Sequence, residues 1–314
     1  DYPTLLAGED LPHLERTICF GAEWDAFVAT APESIALPAI APDDACDILF
    51  TSGTTGDPKG VVATHGASVR SFRTWVNAVG LRAGDRYLIV NPFFHTFGYK
   101  AGWLACLIAG ATIYPLAILD TKRLIDLVST HRISVLPGPP AIFQTLLATD
   151  LGDADLSSLR LSITGAASVP AALIERMRSD LGIDTVLTGY GLTESAGIVS
   201  ISAADDPAEI VARTAGRPIP GIEVRIADPD ESGAGEVLVR GFNVMRGYFE
   251  DDAATAEAID SDGWLHTGDI GRFEPGGELV ITDRIKDMYI SGGFNCYPAE
   301  IERALQRHPD VALA

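Results

Sequence analysis

The chain has 314 residues, 47% of them hydrophobic, and a formal net charge of −20 at neutral pH. Length and hydrophobic content suit a soluble globular protein of two domains or one large one. The charge disfavours nucleic acid and anionic lipid, no apolar run is long enough to span a membrane, and no basic leader opens the sequence, so a cytoplasmic location is expected.

Residues 1–45 are rich in Pro and Ala with scattered acids and read as a connecting segment. Ile48, Leu49 and Phe50 then read as a short buried strand. After a Gly-, Ser- and Thr-rich loop, Thr64 is placed to N-cap a helix with Val69, Phe72, Val76 and Val79 on its apolar face. A strand at 87–90, a helical stretch at 100–109 and a strand at 111–116 follow. Next come a helix at 121–131, a strand at 133–136 and a helix ending near Ala148. A strand at 159–164, a helix at 170–181 and a strand at 185–187 complete the series. Strands alternating with helices at this spacing predict right-handed βαβ units, a mostly parallel sheet flanked by helices, and ligands beyond the carboxyl ends of its strands. From 216 to 282 the chain turns Gly-rich, with short alternating runs such as Gly235-Glu-Val-Leu-Val-Arg-Gly241, which predicts a small antiparallel β unit. A last helix is expected at 298–308. Cys19, Cys46, Cys106 and Cys296 are scattered without a CxxC pair and read as free thiols.

The stretch Thr51-Ser-Gly-Thr-Thr-Gly-Asp-Pro-Lys-Gly60 has the composition of an anion cradle. Glycines allow close backbone approach, hydroxyls and N–H groups donate, and Lys59 adds a point charge suited to phosphate. It is not a Walker loop, because no Gly-Lys-Ser/Thr closes it. This decapeptide resembles the phosphate loop of adenylate-forming enzymes: acyl-CoA synthetases, luciferases and peptide-synthetase adenylation domains. The resemblance implies ATP, Mg²⁺ and a carboxylic acid, with Thr51, Ser52, Gly53, Thr54, Thr55, Gly56 and Lys59 on the phosphates. A chain this acidic then has to make its own positive field around ATP, from Lys59, loop N–H groups and Mg²⁺.

Further matches follow in family order up to residue 302. Thr164-Gly-Ala-Ala167 is similar to the turn lining the adenine pocket, which implicates Gly165, Ala166 and Ala167. In Thr188-Gly-Tyr-Gly-Leu-Thr-Glu-Ser195, Gly189 and Gly191 flank Tyr190, which the resemblance stacks on adenine. It also puts Thr193 on the AMP phosphate and Glu194 on Mg²⁺. Gly263-Trp-Leu-His-Thr-Gly-Asp-Ile-Gly271 assigns Asp269 to the ribose hydroxyls, where a carboxylate can accept two vicinal O–H groups. Asp283-Arg-Ile-Lys-Asp287 resembles the interdomain hinge, with Lys286 the pivot and Arg284 reaching the ribose or phosphate; the alternative is a surface ion pair of Arg284 with a neighbouring Asp. Ser291, Gly292 and Gly293 correspond to the segment lying against the pantetheine arm of CoA. Cys296 reads as a buried thiol rather than a nucleophile.

His95, in Phe93-Phe-His-Thr-Phe97, is either a packed core residue or, by resemblance, the residue bordering the acyl carboxylate, with Phe97, Gly98 and Lys100 in the acyl pocket. Lys100 either suits a substrate with a distal carbonyl or hydroxyl or is a snorkelling surface lysine. Residues 91–110 contain no carboxylate to hold an amino group, which disfavours an amino-acid substrate. The expected activity is ATP-dependent ligation of a bulky apolar or ring-bearing acid to CoA, most like bacterial ligases of steroid-ring or fatty-acid catabolism. The alternatives are a non-catalytic nucleotide-binding fragment, or an adenylating enzyme that passes its acyl group to another acceptor. The expected domains are the connecting segment, an α/β nucleotide- and acyl-binding subdomain (46–205), the antiparallel subdomain (206–283), and the hinge with the truncated start of a C-terminal domain (284–314). By the same resemblance, an N-terminal subdomain is expected before Asp1 and the catalytic Lys of the C-terminal domain after Ala314.

Overall fold

The computed structural model describes residues 10–51, 58–165 and 169–285, the backbone of 289–291 and 294–296, and positions 301, 305 and 311. Contacts divide the chain into Asp1–Ile40 and Ala41–Ala314. Among the described residues of the first unit there is one short helix, α1 (Ala22–Ala29), which has no buried residue.

The second unit opens with an antiparallel hairpin of β1 (Ala45–Thr51) and β2 (Lys59–Thr64), with Thr51 opposite Lys59. The strand expected around residue 49 is present, but it is not buried. Ile48 is 39% and Phe50 67% exposed, because alternation puts both on the outer face of the hairpin while Val61 and Ala63 face inward. Thr64 caps α2 (His65–Val79) by accepting from Ala67 N at 3.2 Å, and Gly80 ends it in the left-handed region. The buried face of α2 is Ala67, Ser71, Phe72, Trp75, Val76 and Val79; Val69, expected there, is turned outward because Trp75 and Ala67 define the stripe.

Next come β3 (Arg86–Ile89), a single turn Thr96–Gly98, a π-helical segment Tyr99–Leu104, α3 (Ala105–Ala109) and β4 (Thr112–Pro115). Helices α4 (Thr121–His131) and α5 (Pro140–Ala148) precede β5 (Leu161–Thr164), α6 (Ala171–Ser179) and β6 (Thr185–Tyr190). Strands β3–β4 and β5–β6 pair in parallel, and the segment expected as a strand at 133–136 shrinks to Val135, which bridges Tyr87 and Leu161. Alternation along the strands builds two cores. Leu88 and Val186 pack with α4, α5 and α6, whereas Tyr87, Ile89 and Leu187 pack with Phe72 and Trp75 of α2.

Beyond β6 the pairing turns antiparallel through β7 (Ser200–Ile201), then α7 (Ala208–Arg213) and β8 (Arg217–Pro218). Strands β9 (Ile222–Ala227) and β10 (Gly235–Gly241), the short β11 (Gly247–Tyr248), helix α8 (Asp252–Ala258), β12 (Leu265–Phe273) and β13 (Leu279–Arg284) follow. The antiparallel sheet runs β13-β12-β10-β9 over a core of Val237, Val239, Leu265 and Leu279, while β11 pairs back onto β2. The backbones of β14 (Tyr289–Ser291) and β15 (Phe294–Cys296) form a last antiparallel pair. Of the helix expected at 298–308, only Ile301 and Leu305 are described, both helical and exposed. The Cys296 side chain lies outside the described residues, and the other three cysteines are free. Among the described residues no helix is long and apolar enough to cross a membrane.

One polar knot holds the amino-terminal edge of the parallel sheet. Asp85, buried, accepts from Arg82 N, Ser134 Oγ and Arg160 Nε, each at 2.9 Å, and Arg160 also donates to Gly80 O at 2.8 Å. Burial pushes the Asp85 carboxyl up, but the hydrogen bonds from Arg160, Arg82 N and Ser134 together hold it below its usual value. A depressed carboxyl stabilises the fold above its unfolded pKa of about 3.9 and loses that contribution as pH falls through the folded value. Arg160→Met should therefore cost about 2–3 kcal/mol at pH 7, with a smaller difference below about pH 4. Urea melts at the two pH values check this; an equal loss at both would detach the charge of Asp85 from the effect.

Candidate nucleotide site

The site gathers where β6 ends. β5 ends at Thr164, opposite Thr188 of β6, so Gly165 follows next to Gly189. Tyr190 is the last residue of β6, later than the strand end expected at Leu187, and the chain then folds over itself. Val199 N donates to Tyr190 O at 2.7 Å, and Gly197 N donates to Leu192 O at 2.9 Å. Within that turn Thr193–Ser195 forms a 3₁₀ turn, closed by Leu192 N donating to Ser195 Oγ at 3.1 Å.

The turn brings Glu194 to β11, the strand that pairs with β2. Glu194 O accepts from Met245 N at 2.8 Å, and its Oε1 accepts from the Tyr248 hydroxyl at 2.9 Å. Tyr248 pairs with Val61 across β11 and β2, and Lys59 Nζ stands 5.1 Å from its ring centroid. Lys59, Tyr248 and Glu194 thus form one line of cation, aromatic and carboxylate. Burial, then the Glu194 charge, pushes the Tyr248 hydroxyl well above its usual value, which keeps it a donor. Tyr248 is the residue that sequence reading missed. It carries no motif, and its only sequence signal is an aromatic beside Gly247.

The second group closes from the antiparallel sheet. Asp269, 5% exposed, accepts from the Tyr190 hydroxyl at 2.5 Å through Oδ2 and from Arg284 Nε at 3.2 Å through Oδ1. Arg284 lies opposite Asp269 across β12 and β13, and its side chain is largely exposed. Arg284 thus makes an ion pair, but with the buried Asp269 rather than with a neighbouring surface Asp. Burial raises the Asp269 carboxyl; the bonds from Tyr190 and Arg284 pull it back only in part. A carboxylate offers about four lone-pair positions, so two further O–H donors can still be accepted there.

The third group is the segment after β3. His95 caps the turn Thr96–Gly98 by accepting from Phe97 N at 3.1 Å through Nδ1, and burial lowers its pKa. A Cβ on Gly98 would collide with the carbonyls of Asn91 and Pro92, so only glycine fits that turn. Lys100, in the π-helical segment, is 1% exposed, which rules out the surface-lysine alternative. Its Nζ donates to Ser68 Oγ at 3.1 Å and lies 3.2 Å from Asp47 Oδ1, so β1 and α2 bury the ammonium with a counter-charge. Thr51 Oγ1 donates to Lys59 O at 3.4 Å. Ser52, Gly53, Thr54, Thr55, Gly56, Ala166, Ala167, Lys286, Gly292, Gly293 and the Ser291 side chain lie outside the described residues.

A family model described as AMP-binding enzyme matches residues 7–249. The chain belongs to the AMP-binding enzyme family. Among curated members it is 54% identical to a (methyl-dioxo-octahydro-inden-yl)propanoyl:CoA ligase of Mycobacterium tuberculosis, over 93% of this chain and 58% of that protein. It is 52% identical to the ligase of the same name from Rhodococcus jostii, over 96% of this chain and 61% of that protein. Among solved members, ATP-bound MatB from Rhodopseudomonas palustris superposes with a TM-score of 0.83 at 31% identity, over 93% of this chain and 58% of that one. Bacillus subtilis o-succinylbenzoate-CoA synthetase (MenE), in complex with ATP and magnesium, superposes with a TM-score of 0.80 at 31% identity, over 92% of this chain and 60% of that one. The chain thus spans about three fifths of these family members.

The Tyr190–Asp269 bond can be tested without ligand. In Tyr190→Phe, Asp269 loses a donor, so its ionised form is penalised further. A group whose folded pKa is raised destabilises the fold as pH rises through that value. Tyr190→Phe should therefore cost about 1–3 kcal/mol, more at pH 8 than at pH 5, in urea denaturation. A loss independent of pH would place the effect in ring packing instead.

Proposed function

We propose that the chain is the nucleotide- and acyl-binding part of an AMP-forming carboxylic acid–CoA ligase. The observation carrying this reading is the convergence of two groups on the end of β6. Lys59, Tyr248 and Glu194 suit a polyphosphate with a divalent cation, and Tyr190, Asp269 and Arg284 suit a nucleoside. The names of the two curated relatives cited above support a ring-bearing propanoate as the acid. The absence of any carboxylate from residues 91–110 supports an acid without an amino group.

In this reading a carboxylate oxygen of the acid attacks the α-phosphorus of ATP, pyrophosphate leaves, and a thiol later displaces AMP from the acyl carbon. Lys59 and the loop Ser52–Gly56 hold the β- and γ-phosphates, and Thr193 donates to the α-phosphate. Glu194, oriented by the Tyr248 hydroxyl, is the carboxylate that would hold Mg²⁺, whose chemistry is neutralisation of the phosphate charge. Asp269 accepts the ribose hydroxyls, and the Tyr190 ring face meets adenine beside Gly165, Ala166 and Ala167. His95 contributes through its free nitrogen. Its Nδ1 already accepts from Phe97 N, and burial favours the neutral ring, so the proton sits on Nε2 and can be donated to the acyl carboxylate. Lys286 is proposed as the pivot that brings Ser291, Gly292 and Gly293 to the thiol substrate.

Lys59→Ala should weaken Mg·ATP by about 10- to 150-fold and AMP much less, since the charge meets phosphates that AMP lacks. Titration calorimetry showing equal losses for both nucleotides would refute the Lys59 assignment. The function as a whole is tested by ATP–pyrophosphate exchange across a panel of carboxylic acids, using a protein that carries this chain together with the C-terminal Lys expected after it, with CoA thioester formation measured on the positives. Exchange with ring-bearing propanoates, and none with amino acids, is the expected result; nucleotide binding without exchange for any acid would favour a non-catalytic binding role.

A further inference from the structure

Asp269 reaches the site on a bulge. β10 and β12 pair Glu236 with Ile270 and Leu238 with His266, so Thr267, Gly268 and Asp269 together face Val237 alone. Extra residues in one strand take backbone groups out of the ladder. Side chains and a neighbouring segment replace those bonds here. Thr267 Oγ1 donates to Val237 O at 2.7 Å and accepts from Asp269 N at 3.1 Å, while Gly268 O accepts from Ile285 N at 2.9 Å. Gly268 has φ +70°, a conformation glycine adopts at little cost, and its N–H donates to Glu236 Oε1 at 3.1 Å. The other Glu236 oxygen accepts from His266 Nδ1 at 2.9 Å, and His266 Nε2 lies 3.8 Å from Asp260 Oδ2.

We propose that Glu236 is a positioning residue for Asp269. Its carboxylate, itself held by His266, anchors the Gly268 N–H and so fixes the bulge that presents the Asp269 side chain to two vicinal hydroxyls. Glu236 lies one strand away from Asp269 and has no contact of its own with the Asp269 carboxylate among the hydrogen bonds of the described residues. Without an acceptor at position 236, the Gly268 N–H is left to solvent and the three-residue bulge can relax toward regular pairing. The Asp269 carboxylate would then move relative to Tyr190 and Arg284. The inference rests on the proposed role of Asp269 as the ribose-binding carboxylate.

The test uses the full chain and two probes, AMP and 2′,3′-dideoxy-AMP, the second of which has no ribose hydroxyls. Glu236→Met keeps the side-chain length but offers no comparable acceptor, and Glu236→Gln restores one. Glu236→Met should bind AMP about 5- to 10-fold more weakly by calorimetry, yet match the parent chain within about twofold on the dideoxy nucleotide. Glu236→Gln should bring AMP affinity back to within about twofold of the parent. If Glu236→Met does not fold, Glu236→Ala carries the same comparison. Equal losses on both probes, or no loss on either, would overturn the positioning role. Asp269→Asn serves as the control: if it too fails to distinguish AMP from the dideoxy nucleotide, the ribose assignment of Asp269 falls. If Asp269→Asn discriminates and Glu236→Met does not, only the role of Glu236 falls.

Discussion

The hydrogen bond from the Tyr190 hydroxyl to Asp269 joins the parallel and antiparallel parts of the fold at the candidate site. One partner ends a parallel strand and the other sits on a bulge of the antiparallel sheet, 79 residues later. A carboxylate buried to 5% exposure tolerates that position only with donors around it, so the bond constrains the approach of β12 to β6. The same constraint carries Arg284, paired across from Asp269, to the edge of the site. Whatever shifts the antiparallel sheet shifts the proposed nucleoside end of the site with it.

The end of the site proposed to take phosphate is built by a different device. A net charge of −20 makes the protein as a whole hostile to a polyphosphate, and the structure answers by placing single cations where they count. Lys59 stands over Tyr248, at the start of the strand leaving the loop. Lys100 is spent inward on Asp47 and Ser68, tying the π-helical segment after His95 to the strand that enters the loop. Breaking a buried pair by removing one partner leaves an uncompensated charge, so this contact fixes how the His95 segment meets the hairpin. The proposed acyl and phosphate ends of the site therefore share β1 as a common support.

Much of this was legible in the chain itself, because periodicity and local chemistry act over short range. The helix bounds at 121–131 and the cap at Thr64 followed from a polar capping residue and an apolar stripe. The alternation of strands and helices implied the parallel sheet, and the Gly-rich alternating runs implied the antiparallel one. Resemblance of short motifs to a known family pointed to the groups that converge on β6. The errors share a cause. Val69 fell outside the buried stripe, Ile48 and Phe50 faced out, and the strand at 133–136 shrank to one bridge, since which face is covered depends on elements far away in the chain.

The sequence by itself determined the family, the order of its motifs, the mixed α/β class and the residue types available to bind phosphate, ribose and acid. Those are properties of local spacing and side-chain chemistry, and they survive without coordinates. Tertiary structure alone decided the partners: Tyr248 for Glu194 across 54 residues, Asp47 for Lys100 across 53, and Glu236 for Gly268 across 32. Such pairings are set by sheet register and by burial, which require charges and N–H groups to find whichever partner the fold brings near, and no spacing in one chain encodes that meeting.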